Sequence, residues 1–342
     1  MDLLWASLAV FVLNIPFGYW RAHVPKLSVR WFLAIHIPVP FVIALRYLFR
    51  LGFQLYTYPA MVGAFFLGQY AGGWLYGLLA GRHLLTGNLL LDLVRLAAHS
   101  EHLAKRPLLI LKAGNTYPEV IREHGDFDDW IRAKLYRGEP LEVIEVFRDE
   151  TEMPDPARYA GFIITGSHDD VTGHAPWVER LAGYVMYLLE QRRPVLGICF
   201  GHQLLAYAAG GEVANHPRGQ ELGTVEVKLL QDAKKDPLLR GLPKRFPVHV
   251  NHAQTVKRLP KDATVLARND FENTHVFRTG TGWGTQFHPE YTGDIMRAQI
   301  HAQYDEIKRS GRNPDELLQQ VSDKDYGKMV LRNFVHYCHY GN

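Results

Sequence analysis

Cysteine is nearly absent from this chain. Its 342 residues hold two, Cys199 and Cys338, so no disulfide framework is implied, and a reactive thiol fits a reducing compartment such as the cytosol. Acidic side chains are nearly absent from the first third: residues 1–91 carry one acid, Asp2, against six bases, Arg21, Lys26, Arg30, Arg46, Arg50 and Arg82. The rest of the chain holds 32 bases and 34 acids, so the formal net charge of +3 belongs to the N-terminal segment and no nucleic-acid patch is expected. A phosphate-cradling Gly-Lys-Ser/Thr loop and a Ser-Gly-Gly pyrophosphatase loop are both missing, which excludes nucleotide activation by these residues. The seventeen histidines lie mostly singly, without metal-ligand spacing, and neither a metal nor a cofactor is expected.

Long uncharged runs fill the acid-poor third. Residues 3–20 are eighteen residues without a charge, about the length of the hydrocarbon core as a helix. A signal peptide would fit that length, but no base precedes the run and no small-residue cleavage site follows it. Residues 31–45 are apolar apart from His36, Pro38 and Pro40, and residues 51–81 are uncharged. Gly68 and Gly72, then Gly73, Gly77 and Gly81, recur at the four-residue spacing that lets helix backbones approach in lipid. A buried soluble helix is the competing interpretation. The expectation is a helical transmembrane domain of about three spans over residues 1–83, with the lipid bilayer as its partner. The bases at Arg21, Lys26 and Arg30, and those at Arg82, Arg95, Lys105 and Arg106, put both flanks in the cytoplasm. Arg46 and Arg50 then fall on the outer side, against that rule. An amphipathic linker helix is expected over residues 84–106, with Leu89, Leu93, Leu96 and Leu103 on one face.

The chemistry lies further on. Gly197-Ile198-Cys199-Phe200-Gly201-His202-Gln203 follows the apolar run Pro194-Val195-Leu196 and precedes a helical one, so Cys199 falls on a strand-to-helix turn. The flanking glycines are expected to let the backbone bend and a substrate carbonyl approach. Some ninety residues later, Phe287-His288-Pro289-Glu290 supplies a base and an orienting carboxylate two residues apart, the set an activated thiol needs. The bland alternatives are a small buried cysteine and a surface ion pair.

In these two motifs the chain resembles the class I, triad-type glutamine amidotransferases, and among them the amidotransferase half of GMP synthase, over roughly residues 106–342. The resemblance implies Cys199 as nucleophile, His288 as general base and acid, and Glu290 as the carboxylate that holds the imidazole. It implies an oxyanion site from the backbone of Phe200 and of Gly166, in Ile164-Thr165-Gly166-Ser167, although His168 stands where the family usually has proline. Ser167 and Gln203 are the implied substrate-binding residues; Gln203 has the alternative of merely filling the helix start. Asn251-His252-Ala253-Gln254 matches a family segment loosely and is expected to be peripheral. The implied substrate is glutamine, and a separate synthase subunit would hold the acceptor to which its ammonia passes. One alternative is a γ-glutamyl hydrolase, although such enzymes more often carry arginine after the nucleophile. Another is a non-catalytic membrane sensor or scaffold, although no triad member is lost.

Strand-helix alternation from Leu108 onward predicts an α/β fold, a doubly wound and largely parallel sheet over residues 107–342. Strands are expected at 108–112, 141–147, 162–165 and 195–198, with helices at 127–135, 177–191 and from 201. An antiparallel excursion of β-like runs at 224–229, 248–251, 264–267 and 275–278 precedes the strand at 283–287. Helices at 294–308 and 325–339 close the chain, and Asn313-Pro314 starts another between them.

Overall fold

The computed structural model describes residues 2–79, 87–93, 106–148 and 150–341, and the chain divides into two compact units, residues 1–101 and 102–342. In the first unit lie α1 (Asp2–His23), α2 (Val29–His36), α3 (Pro38–Leu48) and α4 (Tyr58–Leu79). Ser28 caps α2 by accepting from the Trp31 N–H, and α2 runs into α3 through a helical Ile37, making Val29–Leu48 one apolar stretch. The backbones of α1 and α4 touch: a Cβ added to Gly18 would lie 2.2 Å from the Gln69 carbonyl oxygen, and one on Gly72 2.1 Å from that of Ile15. Gln69 Nε2 donates to the Ala34 carbonyl at 3.1 Å and to Asn14 Oδ1 at 3.4 Å, so one buried amide ties α4 to both α1 and α2.

Outward faces of these helices are apolar, with Leu4, Trp5, Leu8, Phe41, Leu48, Phe66, Leu67 and Trp74 exposed. Among the described residues, two helices, Asp2–His23 and Val29–Leu48, are long and apolar enough to cross a membrane, by length and composition only. The expected third does not reach that standard: α4 is uncharged, but five glycines, three tyrosines and Gln69 dilute its hydropathy. Of the expected linker helix, residues 89–93 are helical and Asn88 Oδ1 accepts from the Leu91 N–H at 3.2 Å. Residues 94–105, with Arg95, Leu96, Leu103 and Lys105, lie outside the described residues, as does Arg82.

The second unit is built on β1 (Leu108–Lys112), β2 (Leu141–Glu145), β3 (Gly161–Ile164), β4 (Val195–Ile198), β5 (Glu212–Asn215), β6 (Glu221–Leu229), β7 (Arg245–His252), β8 (Gln254–Arg258), β9 (Thr264–Arg268), β10 (Val276–Thr279) and β11 (Gly282–Thr285). Nine of them form one sheet in the order β2-β1-β3-β4-β11-β10-β9-β6-β7, while β5 and β8 pair separately. The first five in that order run parallel, and the sheet continues antiparallel from β10 to β7. Helices cover both faces of the parallel part, so its strands are apolar on both sides. Leu108, Ile110, Ile163 and Leu196 pack with Ile131 of α6 (Phe127–Lys134) and with Leu331 and Phe334 of α12 (Gly327–Tyr340). Leu109, Leu111, Phe162 and Val195 pack with Val178 and Leu181 of α7 (Pro176–Glu190) and Leu204 and Leu205 of α8 (Phe200–Ala208).

Several boundaries differ from expectation. The strand before His288 stops at Thr285, which leaves Gln286 to Glu290 as a loop at the sheet's edge. The run 294–308 breaks at Gln303 into α9 (Gly293–Ala302) and α10 (Tyr304–Arg309). Helix α5 (Pro118–His124) and strands β5 and β8 were not anticipated. Asn313 starts α11 (Pro314–Gln319) as expected, its side chain accepting from the Asp315 N–H.

Candidate active site

Strands β4 and β11 are parallel neighbours with Ile198 opposite Thr285, so the residues following them emerge side by side at the carboxyl edge of the sheet. Cys199 is the first residue after β4 and sits at φ 50°, ψ −99°, a left-handed conformation that costs a non-glycine residue about 1–3 kcal/mol. Two hydrogen bonds hold it: Cys199 N–H to the Thr285 carbonyl at 2.8 Å, and Gln203 N–H to the Cys199 carbonyl at 3.1 Å. The bend is therefore made by Cys199 itself, and neither neighbouring glycine has positive φ. Their role is close packing. A Cβ on Gly197 would lie 2.1 Å from the Gly201 carbonyl oxygen, and one on Gly201 2.6 Å from that of Ile164.

His288 is buried, with its ring stacked between Tyr291 at 4.1 Å and Phe127 at 6.2 Å between centroids. Its backbone N–H donates to the His249 carbonyl at 2.9 Å. Nδ1 lies 2.7 Å from Glu290 Oε1; the carboxylate can only accept, so Nδ1 carries the proton and Nε2 is left for the sulfur. Burial alone would push the imidazolium pKa down, but Glu290 and Cys199 outweigh it by charge and hydrogen bonding and raise it to about 10. Lys134 fixes the same loop, donating to the Tyr291 carbonyl while paired with Asp325 at 2.8 Å.

Gly166 lies just after β3 and against this ring: a Cβ there would lie 2.9 Å from His288 Cε1, so only glycine admits the imidazole at this distance. Phe200 is the first residue of α8, where a backbone N–H has no acceptor within the helix, and its ring stacks on Trp177 at 5.4 Å. Ser167 Oγ is engaged locally, accepting from the Asp169 N–H at 3.0 Å. Gln203 Nε2 donates to the Gln254 carbonyl and to Gln286 Oε1, both at 3.1 Å, so both amide protons are used within the protein.

The segment expected to be peripheral is not. The Asn251 carbonyl is 3.6 Å from Cys199 Sγ, and the Gln254 carbonyl is the one that holds Gln203. Gln286, which motif reasoning passed over, has Nε2 3.6 Å from the same sulfur. Its position two residues before His288 in a buried strand-end sequence was the available signal, because a buried polar amide must find partners.

A doubly wound sheet with cysteine, histidine and glutamate at its carboxyl edge has the parts of a cysteine-nucleophile class of enzyme. The chain belongs to the class-I glutamine amidotransferase family, whose pattern matches residues 124–304. It is 36% identical over 166 residues to γ-glutamyl peptidase 5 of Arabidopsis thaliana, a match covering 46% of this chain and 66% of that one. It is 33% identical to one subunit of the glutamine-hydrolysing GMP synthase of Methanothermobacter thermautotrophicus, over 50% of this chain and 87% of that one. The chain thus spans just under two thirds of the first of these relatives. A glutamine amidotransferase structure from Thermotoga maritima shares the fold, with a TM-score of 0.57 at 23% identity over 69% of this chain and 99% of that one.

Proposed function

We propose that this protein is a membrane-tethered glutamine amidotransferase or glutaminase that cleaves the γ-amide of glutamine through a thioester on Cys199. The observation that carries the reading is a cysteine held at φ 50° on a strand-to-helix turn beside a histidine whose Nδ1 is 2.7 Å from a buried glutamate. His288, with its pKa raised to about 10, remains an imidazolium at neutral pH and pairs with the Cys199 thiolate. The sulfur attacks the γ-carbonyl carbon, and the oxyanion turns to the backbone N–H groups of Phe200 and Gly166. His288 Nε2–H then protonates the departing nitrogen, the C–N bond breaks and ammonia leaves. Neutral His288 takes a proton from water, the hydroxide attacks the thioester, and glutamate leaves as the thiolate is restored. Glu290 keeps Nδ1 protonated throughout and transfers no proton.

A second reading, hydrolysis of γ-glutamyl peptides or amines, has the support of two Arabidopsis γ-glutamyl peptidases at 36% and 31% identity. The same thioester serves both reactions, and the leaving nitrogen distinguishes them. Ammonia release from glutamine and amine release from γ-glutamyl dipeptides, compared on the purified protein, decide which is faster. Cys199→Ala should abolish both and Cys338→Ala neither. Activity surviving in Cys199→Ala sinks the reading. If ammonia goes to an acceptor, a separate synthase subunit holds it.

The first unit serves in this proposal as a multi-pass anchor in the cytoplasmic membrane. Its apolar outward faces and single acid before Asp92 support that, as do the candidate spans Asp2–His23 and Val29–Leu48. With the Arg21–Arg30 loop on the cytoplasmic side, a cytoplasmic catalytic domain requires α4 to cross as well, and its 22 uncharged residues reach about 33 Å. Arg46 and Arg50 still fall on the outer side, against the charge rule, but Arg46 is tied into the protein. Its Nε donates to the Gly52 carbonyl at 2.9 Å, Nη2 to Thr57 Oγ1 at 2.8 Å, and its guanidinium lies 4.4 Å over the Tyr58 ring.

A further inference from the structure

We propose that Gln286 is a further catalytic residue of this site, donating a side-chain N–H to the Cys199 sulfur and stabilising the thiolate. The inference rests on Cys199 being the nucleophile, as proposed above.

The orientation of the Gln286 amide follows from its partners. Gln203 Nε2 is 3.1 Å from the Gln254 carbonyl oxygen, which can only accept, so the nitrogen of Gln203 must be on that side. The same nitrogen is 3.1 Å from the Gln286 side chain, so the atom facing it there is Oε1. Gln286 Nε2 is thereby turned to Cys199 Sγ, at 3.6 Å. Gln286 is fully buried and its backbone N–H donates to the His275 carbonyl at 2.8 Å, so the amide is fixed and shielded from water.

A second group faces the sulfur: the Asn251 carbonyl, also at 3.6 Å, which accepts only. Sγ therefore lies within reach of one fixed donor and one fixed acceptor. As a thiol the sulfur can donate its S–H to Asn251; as the thiolate paired with the His288 imidazolium it accepts from Gln286 without moving. Once sulfur bonds to the γ-carbon, the charge moves to the carbonyl oxygen and the Gln286 contact loses most of its value. Gln286 thus sets how much thiolate exists, whereas Phe200 and Gly166 act on the oxyanion. Removing it should slow every electrophile at Cys199, including one with no glutamyl part.

The test is the pH–rate profile for alkylation of full-length protein by iodoacetamide, read by mass on the peptide holding Cys199 so that Cys338 does not count. Gln286→Met keeps the length and loses the donor. The profile should move about one pH unit upward, so that alkylation on its acid limb falls about tenfold, as expected for losing a hydrogen bond to a charged group. Gln286→Glu, which brings a negative acceptor to the sulfur, should shift it further. An unshifted profile in a Gln286→Met protein that melts like the parent overturns the proposal. Should that variant fail to fold, Gln203→Met is the substitute: it leaves Gln286 in place but frees its amide to turn, and a smaller shift in the same direction is expected, no shift again overturning it. Survival of γ-amide cleavage in Cys199→Ala would instead remove the underlying reading, whatever the profile shows.

Discussion

At the scale of single residues, the division of labour between His288 and Glu290 is open to measurement. His288→Asn removes the group proposed to protonate the leaving nitrogen and deprotonate water, and kcat should fall by about 10²- to 10⁴-fold. Glu290→Gln keeps an acceptor for Nδ1–H and loses its charge, so about a tenfold to hundredfold loss is expected, smaller than for His288→Asn in a folded protein. The pH dependence carries a sign. A pKa raised from about 6.5 to about 10 on folding contributes stability that is complete below about 6.5 and lost as pH rises through about 10. Activity should decline over the same upper limb, because the imidazolium is the proposed acid for the leaving group, and in Glu290→Gln that limb should move to lower pH. A limb left in place would show that Glu290 does not set it. Cys199, His288 and Glu290 could be picked out from the sequence as candidates, because their local context and two-residue spacing carry chemical meaning, and the structure brings them to one edge of the sheet. Asn251 and Gln286 were not, because their contact with the sulfur depends on strands that come from distant stretches of chain.

Among elements, the junction of β4 and α8 depends on two missing methyl groups. Gly197 meets the Gly201 carbonyl and Gly201 the Ile164 carbonyl, both backbone atoms that no rotamer change can clear. Gly197→Ala should cost about 1–3 kcal/mol by overpacking and move Cys199 away from His288, with a lowered melting temperature and activity reduced beyond what the unfolded fraction explains. Full activity with an unchanged melting temperature would show that the close approach is dispensable. The motif was visible in the sequence, but its glycines suggested conformational freedom where the fold uses them for proximity. The parallel strands were legible as short apolar runs between helical segments. β5 and β8 were missed because they form a small separate ribbon, with burial too mixed to leave a clean alternation.

For the whole molecule, the question is whether the first unit is an anchor or a packed helical domain. Its helices have apolar outward faces that a water-soluble domain would have to cover, and three of its polar side chains turn inward: Asn14 Nδ2 to the Val10 carbonyl, Gln69 to Asn14 and the Ala34 carbonyl, Arg46 to Gly52 and Thr57. Lipid demands that arrangement, since an unsatisfied polar group there costs several kcal/mol. Full-length protein should therefore sediment with membranes, resist high salt and alkaline carbonate, and dissolve in detergent. The catalytic residues proposed here all lie beyond β1, and both hydrophobic layers of that sheet come from residues 108–338. A chain beginning at Lys105 should thus be soluble and retain glutamine or γ-glutamyl cleavage within a few-fold of the detergent-solubilised parent. Cysteine-accessibility mapping should place the loop at Arg21–Arg30 and the catalytic unit on the cytoplasmic side. A full-length chain that stays soluble without detergent would dismiss the anchor, and an active site on the outer face would reverse the orientation argued from its bases.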